Sequence, residues 1–216
     1  MWPFPLVIQA LFPLSLALMI LLLQPVLVAA TETADVDVGL YALGAFPSDR
    51  GLFAQGGNPS DIKISNGAGA GIKASVFPHY LGNIVGIGLE SFGHGSGITF
   101  SSASGGSAPS TNLWVFNTMV NLTLRYPGNT IVPYIGVGGG YSSGVLTHAD
   151  IPGRSDRDFE TSWAFASQFF GGMQGDLTDR VFLFGEYKYV SSNYHWKQLA
   201  LDFRSQYLLL GIGLRF

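Results

Sequence analysis

Over long stretches of this chain, apolar and small or polar residues alternate with a period of two. In "IKISNGAGAGIKASVF" (62–77) the even positions are Ile62, Ile64, Asn66, Ala68, Ala70, Ile72, Ala74 and Val76. The odd positions are Lys63, Ser65, Gly67, Gly69, Gly71, Lys73, Ser75 and Phe77. Successive side chains of a strand point to opposite faces, so this pattern predicts a two-faced strand. "LWVFNTMVNLTLRY" repeats it, with Trp114, Phe116, Val120, Leu122, Leu124 and Tyr126 on one face and Asn117, Asn121, Thr123 and Arg125 on the other. So does "SQYLLLGIGLRF", where Leu208, Leu210, Ile212, Leu214 and Phe216 share a face and Tyr207, Gly211, Gly213 and Arg215 share its opposite.

Eight such segments are predicted: 35–46, 62–77, 84–94, 112–126, 131–145, 159–175, 181–191 and 205–216. Their connections alternate in length. Residues 78–83, 127–130 and 176–180 are short turns rich in Pro, Gly, Asn and Asp, while 47–61, 95–111, 146–158 and 192–204 are long. A soluble β-sandwich would use the same alternation. Three features disfavour it. The segments are longer than the roughly 5–6 residues usual in globular strands. Their apolar faces carry aromatics towards the ends (Phe46, Trp114, Tyr126, Trp163, Tyr189, Phe216). Their other faces hold glycines and isolated charges, where a wet face would be dense in Lys and Glu. An all-β, eight-stranded antiparallel up-and-down transmembrane barrel accounts for all three, with an apolar outside, aromatic girdles, and short turns at one end against long loops at the other. Strands in lipid must pair every backbone group, so the sheet has to close.

Composition adds two points. The chain has 216 residues, no cysteine and a formal net charge of −3, which excludes disulfide and thiol chemistry and offers no basic surface for nucleic acid. Its first thirty-one residues lack any charged side chain. Residues 1–30 read as a secretory signal peptide, with "LSLALMILLL" as the apolar core and "VAA" as small residues before cleavage, and 31–216 as the barrel domain. An uncleaved anchor is the rival reading, and Pro3, Pro5, Pro13 and Pro25 argue against one uninterrupted helix.

"PYIGVGGGYSSG" (133–144), "LTDRVFLFGEYKY" (177–189) and the terminal "YLLLGIGLRF" resemble the small OmpA/OmpX-like outer-membrane barrels of Gram-negative bacteria, over residues 35–216. The resemblance implies an integral outer-membrane location. It also implies that the last strand, with Leu210, Ile212, Leu214 and Phe216 at alternate positions, is read by the barrel-assembly machinery. No peptidoglycan-binding domain follows the barrel, so an anchoring role is not implied.

One face collects the charges Asp37, Lys63, Lys73, Glu90, Arg125, Glu186, Lys188 and Arg215. Counting from the short turns, Lys73, Glu90, Glu186 and Lys188 come out near mid-strand, with Lys73 and Glu90 as approximate diagonal neighbours and Arg125 and Arg215 nearer the periplasmic rim. The cluster is expected to be an ion-paired plug, with an ion path as the alternative. His94, His148 and His195 fall in or beside the long loops, in spacings that match no metal-ligand motif. "SSNYHW" (191–196) raises the Ser–His chemistry of outer-membrane lipid A deacylases, but there the His precedes a Ser-Asn, and here Ser192-Asn193 precedes His195. The sequence therefore predicts a non-enzymatic protein without cofactor or metal, serving envelope structure or surface interaction through four long extracellular loops. A narrow porin-like channel and a lipid-modifying enzyme are the alternatives. The expected partners are outer-membrane lipids, the assembly machinery and an extracellular ligand or surface, with the barrel a monomer.

Overall fold

Ten strands follow one another along the chain, joined without a single α-helix among the described residues. They are β1 (Ala34–Pro47), β2 (Leu52–Ala54), β3 (Ile62–Ile64), β4 (Gly67–Pro78), β5 (Val85–Phe100), β6 (Ser110–Arg125), β7 (Ile131–Thr147), β8 (Glu160–Asp176), β9 (Val181–His195) and β10 (Leu199–Arg215). The computed structural model describes residues 33–48, 52–54, 62–100, 110–126, 128, 130–147, 160–195 and 199–216. The predicted leader, Lys63's side chain and the middles of the first three outer connections lie outside the described residues.

The eight long strands pair in the order β1-β4-β5-β6-β7-β8-β9-β10, each antiparallel to the next, and β10 pairs back onto β1. The sheet is thus a closed eight-stranded barrel with no open edge among these strands. Following paired residues once around, from Val36 through Val76, Ile87, Leu122, Val137, Phe169, Tyr189 and Gln206, the circuit returns to β1 at Phe46. That stagger of ten residues over eight strands sets a strand tilt of about 40–45°. Each residue then climbs the barrel by about 2.4 Å, and the circuit spans about 24 Å, close to the apolar band of an outer-membrane barrel.

Outward side chains are mostly apolar over that height, with Thr118 and Ser167 among the exceptions. Tyr126 and Phe216 mark its lower edge, and Phe46, Trp114, Tyr141, Trp163 and Phe165 its upper edge, all exposed. Inside, large side chains fit because glycines face them on neighbouring strands. A Cβ on Gly213 would lie 2.2 Å from the Phe182 ring, and one on Gly86 would lie 2.4 Å from the Phe77 ring. At the end of the short turns, the β4–β5 turn closes through Gly82 and Asn83, both in the left-handed region (φ 63° and 58°), which Gly and Asn adopt at least cost.

The structure corrects the predicted boundaries at the outer end. The 62–77 segment breaks at Ser65–Asn66. Ile64, read as outward, is instead buried with Ile98, Leu113 and Leu146. β5 runs six residues further than predicted, and β9 and β10 extend to His195 and Leu199, so most of 192–204 is paired strand. His94, read as lying in or beside a long loop, points into the bore and is 1% exposed. It continues the alternation of Gly86, Gly88, Glu90 and Phe92 through the barrel wall.

Candidate functional site

The bore is filled, and its centre is ionic. Lys188 on β9 is fully buried. Its ammonium donates to Glu90 on β5, and Oε1 of Glu186, two residues below it on the same face of β9, lies 3.3 Å away. Lys73 on β4 donates to Glu186 Oε2 at 2.9 Å and to the Tyr134 hydroxyl at 3.2 Å. Tyr134 in turn donates to Glu186 Oε2 at 2.8 Å. Glu90 accepts from Lys188, from the Tyr41 hydroxyl at 2.6 Å, and from the amides of Asn121 and Gln168 at 3.0 and 2.9 Å. Two acids and two bases therefore balance in one network. Lys73 sits directly opposite Glu90 in the β4–β5 ladder, yet its ammonium reaches across to Glu186 and lies 3.9 Å from the Phe184 ring centroid. Buried charges persist only when paired and hydrogen-bonded, and the two tyrosines and two amides complete that pairing.

A second ionic layer closes the rim at the short-turn end. Arg125 donates to Asp35 at 2.6 Å and Asp37 at 3.3 Å, and its guanidinium carbon lies 3.9 Å from the Phe77 ring centroid. Arg215 donates to Asp37 at 2.9 Å, and its Nη1 lies 3.3 Å from Asp176. His79 meets Asp35 at 3.0 Å. Between rim and centre lies a cavity of about 40 Å³, with Ser75, Thr123 and Gln174 among its lining residues. That is room for about two or three waters, far too little for a continuous aqueous pore.

Above the centre the bore turns apolar and aromatic, through Phe92, Met119, Val190 and Tyr207, then Phe203, Leu113, Ile98 and Leu146. Ser142 donates to Asn117 Oδ1 at 2.7 Å and also bonds the Tyr194 hydroxyl across the barrel. The Ser–His reading of 191–196 fails on geometry. Ser192 is buried inside the bore, whereas His195 is exposed on the outer face of the same strand. Among the described residues no three His, Asp or Glu side chains are placed to hold a metal ion.

The alternating C-terminal face lies on the outside. Leu210, Ile212, Leu214 and Phe216 are exposed, and the Phe216 backbone exchanges hydrogen bonds with Val36 at 2.9 and 3.0 Å across the closing seam. Several functional groups escaped the sequence reading. Asp35 and Asp176 complete the rim, and Tyr41 and Tyr134 complete the centre. Parity could have found Asp35, which stands two residues before Asp37 on the same face. Outward Arg204, paired with Asp202 at 2.8 Å, stands at the level of the upper girdle.

Two solved structures show the same fold. One is Ail, the attachment invasion locus protein of Yersinia pestis, crystallised with the heparin analogue sucrose octasulfate. It is 14% identical, with 85% of this chain and 99% of that chain covered and a TM-score of 0.50. The other is Neisserial surface protein A, 13% identical over 85% of this chain and 97% of that chain, with a TM-score of 0.52. No curated protein matches the sequence. The model of the outer membrane protein beta-barrel domain matches residues 14–216. The chain belongs to that family and is an integral outer-membrane β-barrel protein.

Proposed function

We propose that this barrel is a non-enzymatic envelope protein that acts at the cell surface through its outer connections, with the bore serving as a structural plug. The reading is carried by the filling of the bore. Paired charges occupy its middle, and an apolar cap of Ile98, Leu113, Leu146 and Phe203 lies over them. A barrel so filled offers its partners the outside. Residues 1–30 act in this reading as the removable leader.

The four outer connections are not basic. Across 47–61, 95–111, 146–158 and 192–204 they carry five bases (Arg50, Arg154, Arg157, Lys197, Arg204) and six acids (Asp49, Asp61, Asp150, Asp156, Asp158, Asp202). Ail is solved with a heparin analogue. Here the near-neutral balance favours a partner that is held by hydrogen bonds and apolar contact over a polyanion. The test compares cells displaying the wild-type chain with cells in which residues 101–109 or 149–158 are replaced by a short Asn-Gly turn, at equal surface levels. Adhesion to extracellular-matrix proteins and to heparin is measured. Reduced adhesion to a protein surface in a shortened chain supports the reading. Unchanged adhesion in every shortened chain, or steady conductance of the wild type in planar bilayers at neutral pH, overturns it in favour of a channel.

A further inference from the structure

The outer half of the bore contains a polar layer between two apolar ones. Phe92, Met119 and Val190 lie below it, and Ile98, Leu113 and Leu146 lie above. His94 stands in this layer. Its ring stacks on Phe203 at 6.1 Å and meets the Tyr207 ring edge-on at 5.3 Å. Nδ1 has only the Tyr207 hydroxyl, at 3.5 Å, and Nε2 has no partner. Nearby, Ser96 Oγ and the Asn117 amide nitrogen are also buried without a partner. Asn117 stands opposite Phe92 and Ser96 opposite Leu113 in the β5–β6 ladder, so the three orphaned polar atoms span the step between the two apolar layers.

We propose that His94 is an acid-sensitive latch on the outer half of the bore: on taking up a proton its imidazole draws water into this layer and separates the outer apolar cap from the layer beneath. The argument is one of partners. An imidazolium has two N–H donors and needs two acceptors, or hydration. At its position on β5, His94 is flanked in the ladder by Gly69 of β4 and Val115 of β6, neither of which accepts through a side chain. Facing β10 presents Phe203, Ser205 and Tyr207, and β9 presents Val190, Ser192 and Tyr194, with the like charge of Lys188 below. β1 presents Tyr41 still lower, where its hydroxyl is committed to Glu90. The nearest carboxylate on β5 itself is Glu90, four residues below, past the Phe92 layer and already accepting four hydrogen bonds. No counter-charge is therefore within reach. The same ring bridges Phe203 of the cap and Tyr207 of the layer below, so its displacement uncouples the two.

The test is amide hydrogen exchange of the full-length chain refolded in lipid vesicles, compared at pH 7 and about pH 3.5 after correction for the intrinsic pH dependence of exchange, a range that extends well below ordinary histidine titration because a charge in this layer is costly to create. On acidification, wild-type peptides covering 92–98 and 203–207 are expected to exchange severalfold faster, while those covering 184–188 in the ionic centre stay protected. His94→Phe and His94→Gln should both lack this rise, and His195→Gln should keep it. A wild type without the rise down to the lowest pH, or an undiminished rise in both His94 variants, overturns the latch. Steady current of the wild type in planar bilayers at pH 7 overturns the plugged-bore reading instead, so the two failures are distinguishable.

Discussion

At the scale of single residues, the bore is held by mutual dependence. Glu186 serves Lys73, Lys188 and Tyr134 at once, and it and Lys188 are almost wholly buried. Removing one member of a buried ion pair typically costs about 3–5 kcal/mol, because the remaining charge is stranded. Glu186→Ala is therefore expected to lower stability by that order, measured by reversible urea unfolding in lipid vesicles. Adding Lys73→Met should recover part of the loss, and a thermodynamically silent Glu186→Ala would defeat the plug. A packing test sits beside it. The three contacts of a Cβ on Gly213 are all with the Phe182 ring, at 2.2–2.8 Å. Gly213→Ala should destabilise by about 1–3 kcal/mol, the usual cost of overpacking. Phe182→Leu in the same chain should relieve most of it, and no relief would show that backbone rather than ring sets the limit.

At the scale of the strand, parity carried the sequence reading within the membrane and failed above it. Between the girdles, outside means lipid and inside means glycine, ring or paired charge, so Leu208 to Phe216 and Trp114 to Tyr126 declare their faces directly. Beyond the upper girdle the outside is water and the bore is capped by apolar groups, so the alternation inverts. Ile98 and Leu113 point inward while Thr99 and Asn112 point outward. A pattern followed for its lipid-facing side stops at such a point, so it ends β5 at His94 and reads the upper part of β10 as a loop. The Lys188–Glu90 and Lys73–Glu186 partnerships were less legible than the mid-strand placement of these charges, because they cross the bore between strands far apart in sequence. The face of β10 supports a prediction of its own. Near the interface a charged substitution costs only about 0–1 kcal/mol, whereas Arg or Lys at the midplane costs about 2–4 kcal/mol. Phe216 lies at the lower edge and Leu210 deep in the band. If Leu210 to Phe216 is an assembly element, Phe216→Asp should cut the amount of folded barrel in the outer membrane severalfold while barely changing the unfolding free energy of barrel refolded in vitro. Leu210→Arg should lower that free energy directly. Equal membrane levels of Phe216→Asp and wild type would remove the recognition role.

At the scale of the whole molecule, closure and even strand number fix the topology. β1 begins and β10 ends at the level of the three short turns, and the β1–β10 ladder joins those ends across one seam. All four long connections therefore emerge at the opposite end, beyond a band about 24 Å high. The expected orientation puts the short turns on the periplasmic side and the long connections towards the medium, as outer-membrane barrels do. Intact cells treated with a broad-specificity protease should be nicked only within 47–61, 95–111, 146–158 or 192–204, seen as fragment masses after extraction. The 192–204 site should be the most resistant of the four, because pairing of β9 with β10 continues to His195 and Ala200 and leaves its residues held in a ladder. The nicked barrel should keep its heat-modifiable migration on gels, since eight interlocked ladders hold the wall when an outer connection is cut. Cleavage at 78–83, 127–130 or 176–180 in intact cells would invert the topology. Loss of heat-modifiability after a single outer nick would mean that the connections, rather than the closed sheet and its plugged bore, hold the barrel together.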